Sequence, residues 1–364
     1  MHTNSTYSYT AMALACVTWG ASLSGTPLEW NGYTVFTDEH VEINLGFDGA
    51  TKTLYTDIVL DEAPSQPFSP DASLFWIRPN HLMTLPEGMG SHLSTLGEPG
   101  DEIYLLPSTY SSGKIYHGFS AYGFDGGQIQ GNMVPLELVG FEGPGDLVIW
   151  DQYKQIDTGA LDEYNTIDLP PAAHLHFTWG FTERGIYRLT FEGSGNLWNT
   201  DVAAASEPSA FLYLINPHPH QWWQVRHFGY AAVEPIAAMD APPGPSGIPN
   251  LIAYAFDLNP AAPAPSGLPQ MEIVDAGSVV HPALRFRFPG GELNHDDRSD
   301  LVYSIEASVD LTQPWTTLTN GTDYTLDPAG HDIDGTPLVR AVLVDSIEQS
   351  DVRFLRVRVT LLAD

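Results

Sequence analysis

The sequence predicts an all-β protein, with two β-sandwich domains joined by a short helical, Pro/Gly-rich connector. Three observations carry this expectation. Apolar and polar residues alternate with a period of two over much of the chain, as in strands with one buried face. Gly (33) and Pro (29) are plentiful but aperiodic, which favours many turns between short strands. Runs of Ala, Leu, Glu and Lys at helical spacing are missing from most of the chain.

The 364 residues suffice for two cores and divide into four segments. Residues 1–24 read as a signal peptide. The run Ala11-Met-Ala-Leu-Ala-Cys-Val-Thr-Trp-Gly-Ala21 has the length of an h-region, and the small residues Ser22 and Ser24 follow it. Cleavage after Ser24 and an extracellular or cell-surface location are therefore expected. Residues 25–217 read as the first sandwich. Val41, Ile43, Leu45 and Phe47 alternate with His40, Glu42 and Asn44. Similar runs recur at 53–60, 74–77, 103–106, 136–138, 147–150, 175–181, 186–191 and 211–215, with long loops expected between 61 and 131. Residues 218–269 form the connector. Gln221 to Gly229 reads as one short helix ending at a Gly cap. Another is expected at Pro249–Phe256, where Leu251, Tyr254 and Ala255 share a face. Residues 270–364 return to strands: Leu284, Phe286 and Phe288 alternate with Arg285 and Arg287, and a hairpin is expected about Asn320-Gly321.

Charge narrows the partners. Fourteen Lys+Arg face 45 Asp+Glu, a net charge of −31, so phosphate backbones and anionic membranes are repelled. The expected partners are a cell-envelope or extracellular matrix component, or a second copy of the chain, with no nucleic acid and no membrane span. The acidic, Lys-poor composition suits saline surroundings or ordinary solubility equally. The single Cys16 excludes a disulfide framework, a Cys-based zinc site and a thiol redox pair.

Several separated motifs resemble a known family. Thr37-Asp-Glu-His-Val-Glu-Ile, then Gly143-Pro-Gly, then His174-Leu-His-Phe-Thr-Trp-Gly-Phe181 with Gly185-Ile-Tyr187 occur in the order seen in the surface-anchored "choice-of-anchor M" domain family. Glu39, Glu42 and Thr178 stand where that family's motif has Gly, Asp and Asn. The connector, Trp223-x-x-Arg226-His-Phe-Gly229 and then Gly247 to Phe256, is similar to a linker before C-terminal sandwich modules of secreted bacterial proteins. That linker's calcium loop does not carry over, because Gly244 and Ser246 replace Asp and leave Asp240 alone. The resemblance implies an extracellular β-sandwich with no established enzymatic activity, with an association with metal uptake in some relatives.

Chemistry-bearing residues are few. His174 and His176 share one face of their strand, while Leu175, Phe177, Trp179 and Phe181 occupy the other, which must be the core, so the histidines point toward solvent or under a covering loop. The same logic puts His40 and Glu42 on the outer, polar face of theirs. If the two strands are neighbours, three imidazoles and a carboxylate converge as ligands for zinc or a similar divalent metal. The alternative is a hydrogen-bonded surface ladder of polar residues. His117 is a further candidate ligand. His218 and His220, before Trp222 and Trp223, read either as a second metal or sugar site or as a stiff junction with packed tryptophans. The stretch His295–Asp300 reads as a solvated acidic loop, and Asp327–Gly335 as a turn on Asp334-Gly335. No catalytic residues are assigned: nucleophile-elbow, dinucleotide, phosphate-loop and His-Glu-x-x-His motifs are all absent. The expected function is a non-enzymatic binding or structural protein, and the alternative is a carbohydrate-active or metal-dependent hydrolase.

Overall fold

The computed structural model describes residues 26–362, save 61–66, 89, 199, 201, 264–265, 290–297 and 313. The expected signal peptide and Cys16 lie outside these residues. Strand accounts for 46% of the chain against 13% helix, so the fold is all-β with sandwich-like sheets, as the alternation predicts.

Three sheets are built from residues before 217. An eight-stranded sheet includes Gly185–Asn196, Ser209–Ile215 and Ser73–Ile77. A four-stranded sheet runs in the order His174–His176, Tyr116–Ser120, His40–Asp48, Thr53–Leu60. A five-stranded sheet contains Glu102–Leu106, Leu147–Trp150 and Thr178–Phe181. One apolar cluster unites all three. Phe119 of the four-stranded sheet meets Phe191 of the largest at 5.8 Å and stacks on Trp179 of the five-stranded sheet at 5.1 Å. Phe181 meets Tyr213 at 5.9 Å. Such ring contacts bury much apolar area in fixed geometry, which ties the sheets to one another.

The run 175–181 is thus not one strand. It breaks at the buried Phe177 and serves two sheets, pairing with Tyr116–Ser120 before the break and with Leu147–Trp150 after it. The alternation survives: Phe177, Trp179 and Phe181 are buried and Leu175 packs against the same core. The strand Tyr116–Ser120, inside the stretch expected to be irregular, is a central member of its sheet.

Residues beyond 270 form two more sheets, one containing Val280–Arg287 and Pro337–Leu343, the other pairing Leu301–Ser308 with Phe354–Leu361. The expected hairpin about Asn320-Gly321 does not form. Thr316–Thr317 pairs with the strand at 301–308, whereas Tyr324–His331 pairs with Pro337–Leu343, so the turn at Gly321 (φ +80°) carries the chain between sheets. The hairpin on Asp334-Gly335 is present. Arg287, expected on a polar face, is buried and pairs with Asp332 and Asp334 of that turn.

Helix α1 (Pro219–Phe228) starts with proline at its first position, where no amide hydrogen is needed. The Gln221 side chain accepts from the His218 amide at 2.8 Å, and Gly229 closes the C-terminus at φ +55°. Its adjacent tryptophans point into different clusters. Trp222 packs with Trp30 and Trp76 on the first part of the chain, and Trp223 with Tyr254, Phe256 and Phe286 of the second. The residues of helix α2 (Asn250–Ala255) from Ala253 onward join that second cluster too. The stiff-junction reading of His218–Trp223 therefore describes the structure. Nor is the end of the 295–300 loop solvated: Arg298 and Asp300 are buried. Asp300 accepts from the His220 amide at 3.0 Å and from the Tyr254 hydroxyl at 2.5 Å, and Arg298 lies 4.2 Å over the Tyr254 ring. A buried acid needs such partners, which the local sequence does not reveal. Trp223→Ala is expected to cost about 3–5 kcal/mol in chemical denaturation, the range for removing a buried tryptophan; a loss below about 1 kcal/mol would show that the connector is not bound into the second core.

Candidate metal centre

The strand His40–Asp48 is buried on both faces, which sets the character of the site. Val41, Ile43 and Leu45 fill the core on one side. His40, Glu42 and Asn44 on the other are 8%, 0% and 4% exposed, so this polar face is covered and not solvated. A covered row of polar side chains must find partners within the protein.

The partners come from across the sheet. The strands of His40 and His174 are next-nearest neighbours, with Tyr116–Ser120 between them: Glu42 lies beside Gly118, and Gly118 pairs in turn with His176. Glycine at this crossing leaves the space through which side chains of the two outer strands meet. A Cβ there would stand 2.8 Å from Cε1 and Nδ1 of His176 and from the Leu175 carbonyl oxygen. The two strands belong to one sheet without being direct neighbours, and the four side chains converge across the strand between them.

Three Nε2 atoms gather there. His40 is 3.2 Å from His174 and 3.0 Å from His176, and the latter two are 2.8 Å apart. Glu42 Oε1 lies 2.6 Å from His174 Nε2, 3.3 Å from His40 Nε2 and 3.9 Å from His176 Nε2. Neither carboxylate oxygen has a well-formed hydrogen bond. Burial pushes the Glu42 carboxyl up, but contacts from His174 and His40 outweigh it and hold the pKa at about 2. The acid is therefore ionised at neutral pH.

Outer contacts aim the rings. Nδ1 of His176 is 3.1 Å from the His117 carbonyl, which can only accept, so Nδ1 carries the proton and Nε2 presents its lone pair inward. Burial, reinforced by His40, lowers the His176 pKa to about 3, so this ring is neutral. Tyr116 stacks on it at 3.8 Å and 7°. The Tyr122 hydroxyl is 3.1 Å from His174 Nδ1, while Asn44 accepts from the Tyr122 amide at 3.0 Å and so fixes that loop. His174, with 31% of its side chain exposed, forms the rim.

His117 is not part of the group. It points to the opposite face of its strand, where Nδ1–H donates to the Val41 carbonyl at 3.0 Å and Nε2 accepts from Tyr213 at 2.7 Å. Burial lowers its pKa to about 4. Among the described residues, His40, Glu42, His174 and His176 form one group whose ligand atoms can hold a metal ion. Protons satisfy such a group poorly: the His176 lone pair faces two other nitrogens and a carboxylate, and one proton serves only one pair. Gly118, Tyr116 and Tyr122 border the candidate site and were passed over in the sequence reading. Their signal was the alternation of Tyr116, Gly118 and Ser120 against His117 and Phe119, a strand pattern masked by glycine and histidine.

No family model matches this chain, and no curated protein matches it. The likeness to surface-anchored domains thus stands on the motifs quoted above, and the site stands on its geometry.

Two outcomes follow from this geometry. Gly118→Ala is expected to lower affinity for a divalent metal at least about tenfold, equivalent to ~1.4 kcal/mol, because the new methyl displaces His176; unchanged affinity in a titration would contradict the crossing described here. Acid is expected to destabilise the protein in a defined window. His81 and His117 titrate near 4 and His176 near 3 in the folded state, all lowered chiefly by burial, against about 6.5 when unfolded. Their contribution is complete above pH ~6.5 and falls as pH drops toward ~4, where the unfolded chain binds protons that the folded one refuses. Melting temperature measured from pH 7 to 4 should fall steadily, and a flat profile would contradict it.

Proposed function

We propose that this chain is a secreted, non-enzymatic binding protein of the cell surface that holds one divalent transition metal through His40, Glu42, His174 and His176. The observation that carries the reading is the convergence of three imidazole nitrogens, 2.8–3.2 Å apart, on a fully buried and ionised carboxylate. Imidazole with one carboxylate suits zinc, iron, nickel or copper more than calcium or magnesium, which prefer oxygen throughout. An ion here replaces several kcal/mol of unfavourable burial with coordination bonds.

The extracellular part of the proposal draws on the apolar segment 11–21 with its small flanking residues and on the resemblance to surface-anchored domains. Among the described residues no helix is long and apolar enough to cross a membrane. The partner is proposed to be a cell-envelope or matrix component, or another copy of the chain.

Calorimetric titration with zinc is expected to give one site per chain in the wild type and at least tenfold weaker binding in His174→Ala, a change of ~1.4 kcal/mol. Identical heats in the two proteins would leave the hydrogen-bonded ladder as the correct description. N-terminal sequencing of native material is expected to begin near Gly25, and an intact Met1 would defeat the secretion proposal.

A further inference from the structure

The two sheets beyond residue 270 are unequal. The larger runs in the order Gln270–Asp275, Val280–Arg287, Pro337–Leu343, Tyr324–His331, and the smaller in the order Thr316–Thr317, Leu301–Ser308, Phe354–Leu361. Two of the four edge strands are guarded against further pairing. Thr316–Thr317 is very short, and Tyr324–His331 carries Pro328 and a break in register after it. The turn at Gly321 joins these two strands, so they share one side of the sandwich. Gln270–Asp275 and Phe354–Leu361 are left on the other side, as unbroken ladders without proline. Phe354–Leu361 approaches Val280–Arg287 across the core. Among the described residues, no strand of the smaller sheet therefore roofs Gln270–Asp275.

Both open edges carry an apolar row on the core side. Met271 and Ile273 stand beside Leu284 and Pro282, yet are 52% and 70% exposed. Val357, Val359 and Leu361 pack against the core cluster and stay half-buried. We propose that two copies of the chain pair reciprocally here, Gln270–Asp275 of each taking the vacant place beside Phe354–Leu361 of the other. The four-stranded sheet of one copy then continues into the three-stranded sheet of its partner, twice, about a two-fold axis. One strand thus fills two defects: it pairs an open edge, and its apolar row roofs Met271 and Ile273 of the other copy. Charge favours this surface for self-association. Chains of charge −31 repel, and they meet most easily where acid is scarce. On the outer faces of these strands arginine outnumbers acid: Arg285 and Arg340 share Glu272, and Arg356 and Arg358 share Glu306. The pairing selects one of the partners proposed above and does not depend on the metal.

Sedimentation equilibrium of the full chain tests this. The expected result is a dimer in the wild type, weakened at least about tenfold in Ile273→Lys and in Arg358→Glu. Both side chains are largely exposed, at 70% and 63%, so neither change disturbs the fold, and an unchanged melting temperature checks that. Ile333→Lys, which alters a fully exposed apolar residue at the turn before Pro337–Leu343, is expected to dimerise like the wild type. A wild type that stays monomeric at every concentration, or a dimer that Ile273→Lys leaves unchanged, would overturn the proposal. A dimer weakened by Ile273→Lys but not by Arg358→Glu would overturn the reciprocal arrangement in favour of Gln270–Asp275 pairing with its own copy. Zinc titration of the same samples is expected to give one site per chain in every variant, so failure of the dimer and failure of the metal reading are seen separately.

Discussion

The constraint on which the site depends is a strand buried on both faces. Val41, Ile43 and Leu45 enter the apolar core, and that burial fixes the register of His40–Asp48. Register then forces His40, Glu42 and Asn44 to the opposite face, where they are almost as deeply covered. A carboxylate in that position cannot rely on water. It needs cationic or metallic partners, and the sheet supplies imidazoles from a strand two places away.

The middle strand makes this possible by being different on its two faces. Toward the core it presents His117 and Phe119, which join the aromatic packing around Trp179 and Tyr213. Toward the site it presents Tyr116, Gly118 and Ser120: a ring to stack on His176, a gap for side chains to cross, and a hydroxyl bonded to Asn44 at 3.1 Å. Two histidines of the sequence, His117 and His176, are thus separated by role as well as by position. The first is a hydrogen-bonded core residue whose backbone carbonyl orients the second.

The connector repeats the principle on a larger scale. Trp222 and Trp223 are adjacent in sequence and lie about 100° apart around a helix, so one helix serves two apolar clusters. The polar ties at its start, His220 to Asp300 and Tyr254 to Asp300, then hold α1, α2 and the strand from Leu301 together. Burial of Asp300 is tolerable only because all three elements supply donors or packing.

What the sequence by itself determined is whatever depends on period two. The all-β class, the core rows Val41/Ile43/Leu45 and Phe177/Trp179/Phe181, and the face shared by His40 with Glu42 and by His174 with His176 were legible, because alternation is a property of a single strand. Tertiary structure decided everything that depends on which strands meet. It split 174–181 between two sheets at Phe177, sent Thr316–Thr317 and Tyr324–His331 to different sheets, and buried Arg298 and Asp300 under the connector. It also placed Tyr116–Ser120 between the strand of His40 and the strand of His174 and His176. One residue pattern fits a surface ladder and a buried metal centre equally, since alternation specifies a side chain's face but not what covers that face. Here the cover, and the gap at Gly118 that lets four side chains meet, come from long-range pairing that no local segment encodes.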